Sequence, residues 1–272
     1  MNTTLGRGAV TARPSHTSRL LSAVHDETEC DKTSATGQSN GVFNDSRFAK
    51  DRLDLGMMTD DPAMIDFVAD KIGLGAPELL RLSRTVTQHR FDLRGSVVKV
   101  NIVPGLEATA RSGFRELVVA DDGVSEIHSS TGPDGVRISI VPTGWNGIEH
   151  MAVRLAVPNL AIAQRYFVDA LGWDVDGAVV RLGASAVLLE QSDDAPTAVP
   201  PSTRGWTYLT AQIRDCDAET AAAVAGGASV VRPPRTHGEV ARFSMVADSW
   251  GNQIELSQRA SLTGPLPAND ES

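Results

Sequence analysis

Two cysteines in 272 residues, Cys30 and Cys216, are too few for a disulfide framework, and their use points to free thiols in a reducing compartment, the cytoplasm. Long apolar runs are missing as well, so nothing in the sequence has the length of a membrane span. In the N-terminal region the longest apolar piece, 20–24, is too short for the core of a secretory signal. Lysine is scarce, with Lys32, Lys50, Lys71 and Lys99 the only four among 25 basic residues. Acidic residues number 34, which leaves a formal net charge of -9 and argues against nucleic acid or an anionic membrane as partner, since both require basic patches. What is present, 41% hydrophobic and 22% charged residues, is the make-up of a globular protein long enough to bury two cores.

Residues 1–47 stand apart as a flexible arm, rich in Ser, Thr, Gly and Asn and without sustained periodicity. The first 25 residues hold Arg7, Arg13 and Arg19 and no acid, which suits an organelle transit peptide or a plain disordered leader. Beyond the arm one rhythm recurs. A strand over 52–58 leads into Asp60-Asp61-Pro62, which opens a helix to about Ile72 that Gly73 stops. Strands follow at 79–85, 88–93 and 96–103, then a second series at 114–120, 124–128 and 136–141 that lacks a helix. A third series starts with a strand at 150–157, an Asn159 cap and a helix over 160–171, then strands near 178–182 and 185–190. The fourth has a strand at 206–214, an Ala-rich helix near 217–226, and strands at 228–232, 241–247 and 253–257. Four strand–helix–strand–strand–strand modules, the second degenerate, predict an α+β chain of tandem βαβββ units forming two curved mixed sheets. The division expected is 48–145 for a degenerate half, 146–260 for the half bearing the site, and 261–272 for a tail.

The segment Asp248-Ser249-Trp250-Gly251-Asn252-Gln253-Ile254-Glu255-Leu256 reads as a turn running into a strand with one carboxylate on it. A glutamate on a concave sheet face is costly without a partner, so Glu255 is the residue to explain. Period-two alternation names its companions. His150, Ala152 and Arg154 share one face of their strand, opposite Met151, Val153, Leu155 and Val157. Trp206, Tyr208, Thr210 and Gln212 oppose Leu209, Ala211 and Ile213, while Arg242 and Ser244 alternate with Phe243 and Met245. A single hollow lined by His150, Arg154, Glu190, Trp206, Tyr208, Gln212, Arg242 and Glu255 is expected, with apolar walls and a few convergent polar groups as in small-molecule sites.

Val157-Pro158-Asn159-Leu160, Tyr166-Phe167 and Leu171-Gly172-Trp173, together with 248–256, resemble the opening and closing motifs of a vicinal oxygen chelate module. That superfamily includes glyoxalase I, bleomycin- and fosfomycin-resistance proteins, epimerases and extradiol dioxygenases. The resemblance covers 146–258, with a weaker echo over 51–143 carried by Thr59-Asp60-Asp61-Pro62 and 133–140. It implies four inward ligand positions for a divalent ion (Mn, Fe, Ni or Zn), which fall here on Ala152, Glu190, Tyr208 and Glu255. Ala152 cannot ligate and Tyr208 stands where His is usual, so the metal set that remains is His150, brought in by a bulge, with Glu190 and Glu255; no metal at all is the alternative. An equal alternative for Glu255 is a buried salt bridge to Arg154 or Arg242. The expected roles are catalysis by Glu255, Tyr208 and Glu190 and substrate binding by Arg154, Trp206, Gln212 and Arg242. Trp206 and Tyr208 have core-packing alternatives, and His237, in a polar loop over 233–238, is solvated or a lid base. His128 has no acidic partner, and Asp54, Phe114 or Arg115, and Ser139 at the matching places of the first half are not a metal set. The resemblance implies a lyase or isomerase on an oxygenated small molecule; the alternatives are a metal-free binder of a cationic or planar ligand, a metal-free cyclase or isomerase, and an extradiol dioxygenase. A monomer or homodimer suits any of them.

Overall fold

The structure, a computed structural model, describes Asn44 and residues 46–269, so the expectations for 1–43, leader included, lie outside the described residues. The first module comprises β1 (Asp54–Thr59), α1 (Ala63–Ile72), β2 (Glu78–Arg81), β3 (Thr87–Leu93) and β4 (Ser96–Ile102). The second has only β5 (Phe114–Asp121), β6 (His128–Thr131) and β7 (Arg137–Pro142), with a tight turn at Pro133–Gly135 and no α-helix. In the third, β8 (Met151–Val157) leads to α2 (Leu160–Arg165) and a π-turn over Tyr166–Ala170, then β9 (Asp174–Asp176), β10 (Val179–Leu182) and β11 (Ser185–Gln191). The fourth is β12 (Gly205–Gln212), α3 (Cys216–Ala225), β13 (Ser229–His237), β14 (Ala241–Ala247) and β15 (Gln253–Arg259), followed by the single turn α4 (Ala260–Thr263).

Local chemistry sets the helix ends. Asp61 accepts from the Ala63 amide at 2.9 Å and Gly73, at φ 73°, closes α1 in the left-handed conformation that glycine tolerates best. Asn159 caps α2 by accepting from the Ile162 amide at 3.0 Å, and Asp215 does the same for α3 through Ala218 at 3.0 Å. The single helix expected over 160–171 is an α-turn that widens into a π-turn. The strand expected at 124–128 lies later, at β6.

The strands assemble into an eight-stranded sheet, β13-β14-β15-β12-β1-β4-β3-β2, and a seven-stranded sheet, β6-β7-β5-β8-β11-β10-β9. The first module therefore shares a sheet with the fourth, through antiparallel β1 and β12, and the second with the third, through β5 and β8. The apolar faces of both sheets join the helices in one cluster that includes Leu55, Met57, Leu117, Val153, Leu155, Phe167, Leu209 and Ala223. A smaller cluster, Val118, Ala120, Val141, Ile148, Ala152, Ala186 and Leu188, fills part of the opposite face of the seven-stranded sheet. Each seam carries one bulge. Gly56 pairs with Tyr208 but Met57 with Trp206, which leaves Thr207 as an extra residue; Phe114 pairs with Leu155 but Glu116 with Arg154, which leaves Arg115.

Candidate functional site

The single hollow expected within 146–260 does not form, because its walls belong to different sheets. Tyr208, Gln212 and Glu255 line the eight-stranded sheet together with Lys99, Asn101 and Gln88 from the first module, around a cavity of about 160 Å³. Arg154 and Glu190 of the seven-stranded sheet, with Trp206 at the start of β12, line a separate crevice of about 410 Å³. The cause is strand pairing: β12 and β15 are completed by β1 and β4, not by β8 and β11.

Two further expectations are corrected by local packing. The bulge at Thr207 turns Trp206 with Met57 into the core, where its indole N–H donates to the Arg137 carbonyl at 3.2 Å. Arg242 and Ser244 face α3, not the hollow: Arg242 donates to Asp217 at 2.6 and 2.7 Å, and Ser244 shares a 2.7 Å hydrogen bond with Thr220. Phe243 and Met245 take the inward places on β14. His237 belongs to β13, its ring stacked on Phe243 at 4.7 Å, and is not in a loop; His128 starts β6 and is exposed.

At the centre of the first hollow is a group that sequence reasoning passed over. The Lys99 ammonium is buried and donates to Glu255 Oε1 at 2.9 Å and to Thr210 Oγ1 at 2.7 Å, and it lies 5.4 Å from the Tyr208 ring centroid. Burial alone would pull the Lys99 pKa down, but Glu255, Tyr208 and Asp54 more than offset it and the pKa is raised, so the nitrogen stays cationic. Burial raises the Tyr208 pKa, with Lys99 partly opposing. The phenol oxygen accepts from Asn101 Nδ2 at 3.3 Å and, among the described residues, donates to no acceptor. Gln212 donates from Nε2 to Asp54 at 2.9 Å while its buried Oε1 has no partner among them. Asp54 is structural, bound by Lys50 at 2.6 Å and the Val97 amide at 2.9 Å. At the rim, Arg232 and Arg259 line the cavity without a carboxylate partner among the described residues. The buried salt bridge foreseen for Glu255 exists, with Lys99 in place of Arg154 or Arg242.

The turn ahead of β15 aims Glu255. Asp248 accepts from the amides of Trp250 and Asn252, each at 2.9 Å, and from Asn252 Nδ2 at 2.8 Å, and the Asn252 Oδ1 receives the Gly113 amide at 2.6 Å. Gly251 has φ 93°, and a Cβ there would lie 2.4 Å from the Val199 carbonyl oxygen.

On the other sheet, buried Glu116 accepts from Arg154 Nε at 2.9 Å and from Ser139, with Arg137 at 3.6 Å. Burial pushes its pKa up, but Ser139 and the two arginines outweigh it and hold the carboxyl below its usual range. Glu190, half exposed, is 3.6 Å from Arg154. His150 shares a 2.9 Å hydrogen bond between Nε2 and Ser96 Oγ, and burial, then Arg94 and Arg52, lowers its pKa to about 4.

The residues present do not fit the divalent ion that the sequence motifs suggest. His150 bonds Ser96, Glu190 is on β11 and Glu255 on β15 in the other sheet, with an ammonium on the Glu255 oxygen. Among the described residues no three His, Cys, Asp or Glu converge.

Residues 147–256 match the family model of the Glyoxalase/Bleomycin resistance protein/Dioxygenase superfamily. This chain carries a vicinal oxygen chelate domain. Its two-sheet architecture is similar to glyoxalase I from Zea mays, at TM-score 0.61 and 13% identity over 76% of this chain and 92% of that one. It is also similar to the cppA protein of Streptococcus pneumoniae TIGR4, at TM-score 0.50 and 14% identity over 76% of this chain and 97% of that one. At these identities the likeness is one of fold. No curated protein matches the sequence. Among the described residues no helix is long and apolar enough to cross a membrane.

Proposed function

We propose that this vicinal oxygen chelate protein is a small-molecule enzyme of the lyase or isomerase kind, acting on an oxygenated, carboxylate-bearing substrate in the hollow of the eight-stranded sheet. The observation that supports this most is the meeting of the buried Lys99–Glu255 pair with two unanswered groups, the Tyr208 O–H and Gln212 Oε1. Native interiors leave few buried polar groups unpaired, so two in one cavity point to a ligand that completes them.

The cavity, about 160 Å³, is close to the ~150 Å³ that holds a benzene-sized guest. Arg232 and Arg259 at the rim suit a carboxylate, and the cationic lining disfavours a cationic ligand of the kind first considered. In the chemistry proposed, the substrate carbonyl oxygen takes the Lys99 ammonium as its donor, with the Tyr208 hydroxyl beside it. Glu255, released from Lys99 by that exchange, removes the proton from the adjacent carbon. The C–H electron pair moves into the new C=C bond and the carbonyl pair onto oxygen, where the ammonium holds the negative charge in a low-dielectric site. Where the deprotonated carbon bears a hydroxyl, Glu255 returns the proton to the former carbonyl carbon while the hydroxyl proton passes to the first oxygen, and the carbonyl is moved by one carbon, an isomerisation. Where the next carbon bears a leaving group, the enolate pair re-forms the carbonyl, the new C=C bond forms one carbon further on and the departing group takes its proton from Tyr208, a lyase reaction. No metal takes part in this scheme, and Glu190, in the other crevice, has no role in it. The hollow is complete within one chain, which supports the monomer as the working unit.

Deuterium wash-in tests the reading. Pyruvate and larger 2-oxo acids are screened by thermal shift, and the binders are followed by proton NMR in D₂O. Wild type is expected to exchange the carbon-bound proton next to the carbonyl, and Glu255→Gln to bind but not exchange. Binding without exchange in wild type would favour the second reading, a binding protein, which the holding of Glu255 by Lys99 favours. Exchange that persists in Glu255→Gln would remove this hollow as the site of proton transfer.

A further inference from the structure

We propose that the crevice on the seven-stranded sheet is a second ligand site, one that takes a small phosphate-bearing molecule. It is the larger of the two hollows, about 410 Å³, and five of its lining residues are arginines: Arg111, Arg115, Arg137, Arg154 and Arg204. In a chain of net charge -9 this concentration of guanidinium groups runs against the overall balance.

Their partners separate walls from ligands. Arg204 is saturated, with Asp60 and Asp134 on one side and the carbonyls of Leu106 and Ala108 on the other, so it belongs to the wall. Arg154 and Arg137 are oriented by buried Glu116 and keep N–H groups to spare, since a guanidinium carries five. Arg111 and Arg115 have no carboxylate partner among the described residues; Arg115 donates only to the Asp194 carbonyl, at 2.8 Å. Arg115 is also the extra residue of the β5 bulge, left without a partner on β8, and bulges are a device that re-aims a side chain. The two acids in the lining, Glu190 and Asp194, are both exposed, and Glu190 reaches Arg154 at only 3.6 Å. An arriving phosphate displaces Glu190 from Arg154 at small cost, because exposed ion pairs are weak.

A phosphate group fits this arrangement better than a monocarboxylate. Its several acceptor oxygens and double charge can engage Arg111, Arg115 and Arg154 together, whereas one carboxylate fork satisfies one guanidinium. The volume exceeds what phosphate alone fills, and Phe114, Val136 and Trp206 give the remainder an apolar and aromatic wall. The ligand is therefore a phosphomonoester with a compact apolar part.

Calorimetric titration of the full chain with inorganic phosphate and with phenyl phosphate tests the proposal. Both should bind, phenyl phosphate more tightly. The Arg111→Gln/Arg115→Gln double variant, which breaks no ion pair among the described residues, should weaken both by about tenfold or more while keeping the wild-type Tm. Arg259→Gln, in the other hollow, should leave both affinities within about twofold, which separates this site from the proposed catalytic one. Absence of binding at millimolar ligand, equal affinity in the double variant, or loss of binding in Arg259→Gln would each overturn it.

Discussion

At the residue scale, His150 shows how burial turns one side chain into a pH-dependent stability element. Its ring shares a hydrogen bond with Ser96, burial and the nearby Arg94, Arg52 and Lys50 disfavour its charged form against an opposing Asp51, and its pKa falls to about 4 from an unfolded value near 6.5. Below 6.5 the unfolded chain takes up a proton that the folded chain refuses until about 4. Stability therefore stands in full above 6.5 and is lost as pH falls through that window, by up to about 3 kcal/mol at ~1.4 kcal/mol per pH unit. Urea titrations of wild type and His150→Gln at pH 7.5 and 5.0 measure it: wild type should lose more stability between the two than the variant. Equal losses would mean that the imidazole titrates normally. Residue chemistry was legible in part. Glu255 declared itself by its place on an alternating strand, and the salt-bridge reading of it was right in kind. Its partner was passed over, although Val97-Val98-Lys99-Val100-Asn101 puts a lysine on the polar face of a buried strand, because lysine was weighed only as a count. His150, two residues before Ala152, was weighed as a metal ligand, but its ring is spent on Ser96.

At the element scale, alternation named the outward faces of β8 and β12 correctly, since Val153, Leu155, Leu209 and Ala211 are all in the main core. It failed on β14, because polar residues can face a helix that offers polar partners, as α3 offers Asp217 and Thr220. It failed on Trp206 because a bulge changes phase and leaves no local signature. The same seam depends on a glycine. The Tyr208 ring lies across Gly56, where a Cβ would approach Cζ within 2.1 Å, closer than any real contact. Gly56→Ala should therefore cost about 1–3 kcal/mol as an overpacking change. It should also displace Tyr208 from above Asn101. In a Tyr208→Ser background the same substitution should be close to neutral, because the three atoms nearest to that Cβ all belong to the ring. Thermal unfolding of the four proteins in this cycle gives the coupling, and additive effects would show that Gly56 is constrained by something other than Tyr208.

At the scale of the whole molecule, periodicity reveals which face of a strand is apolar but not which edge it will meet, and that gap is where the sequence reading of the site went astray. Two tandem halves of two modules each look like two bodies, yet the β1–β12 and β5–β8 seams each join residues from both halves, Leu55 to Leu209 and Leu117 to Val153. Cutting the chain between 146 and 147 would leave β1, β5, β8 and β12 as open edges and split the core cluster that these four residues share. Neither piece alone should give a cooperative, monomeric unfolding transition; produced together, they should co-purify as a one-to-one complex with a concentration-dependent Tm. A 147–272 piece that folded as a stable monomer would mean that the fourth module can satisfy its sheet without the first. The Lys99–Glu255 pair would then be an accessory to the fold and not a product of it. The pairing seen here argues the reverse: the carboxylate on β15 is compensated by an ammonium from β4 on the other side of the β12–β1 seam, so the charge balance of the hollow and the joining of the two halves are one event.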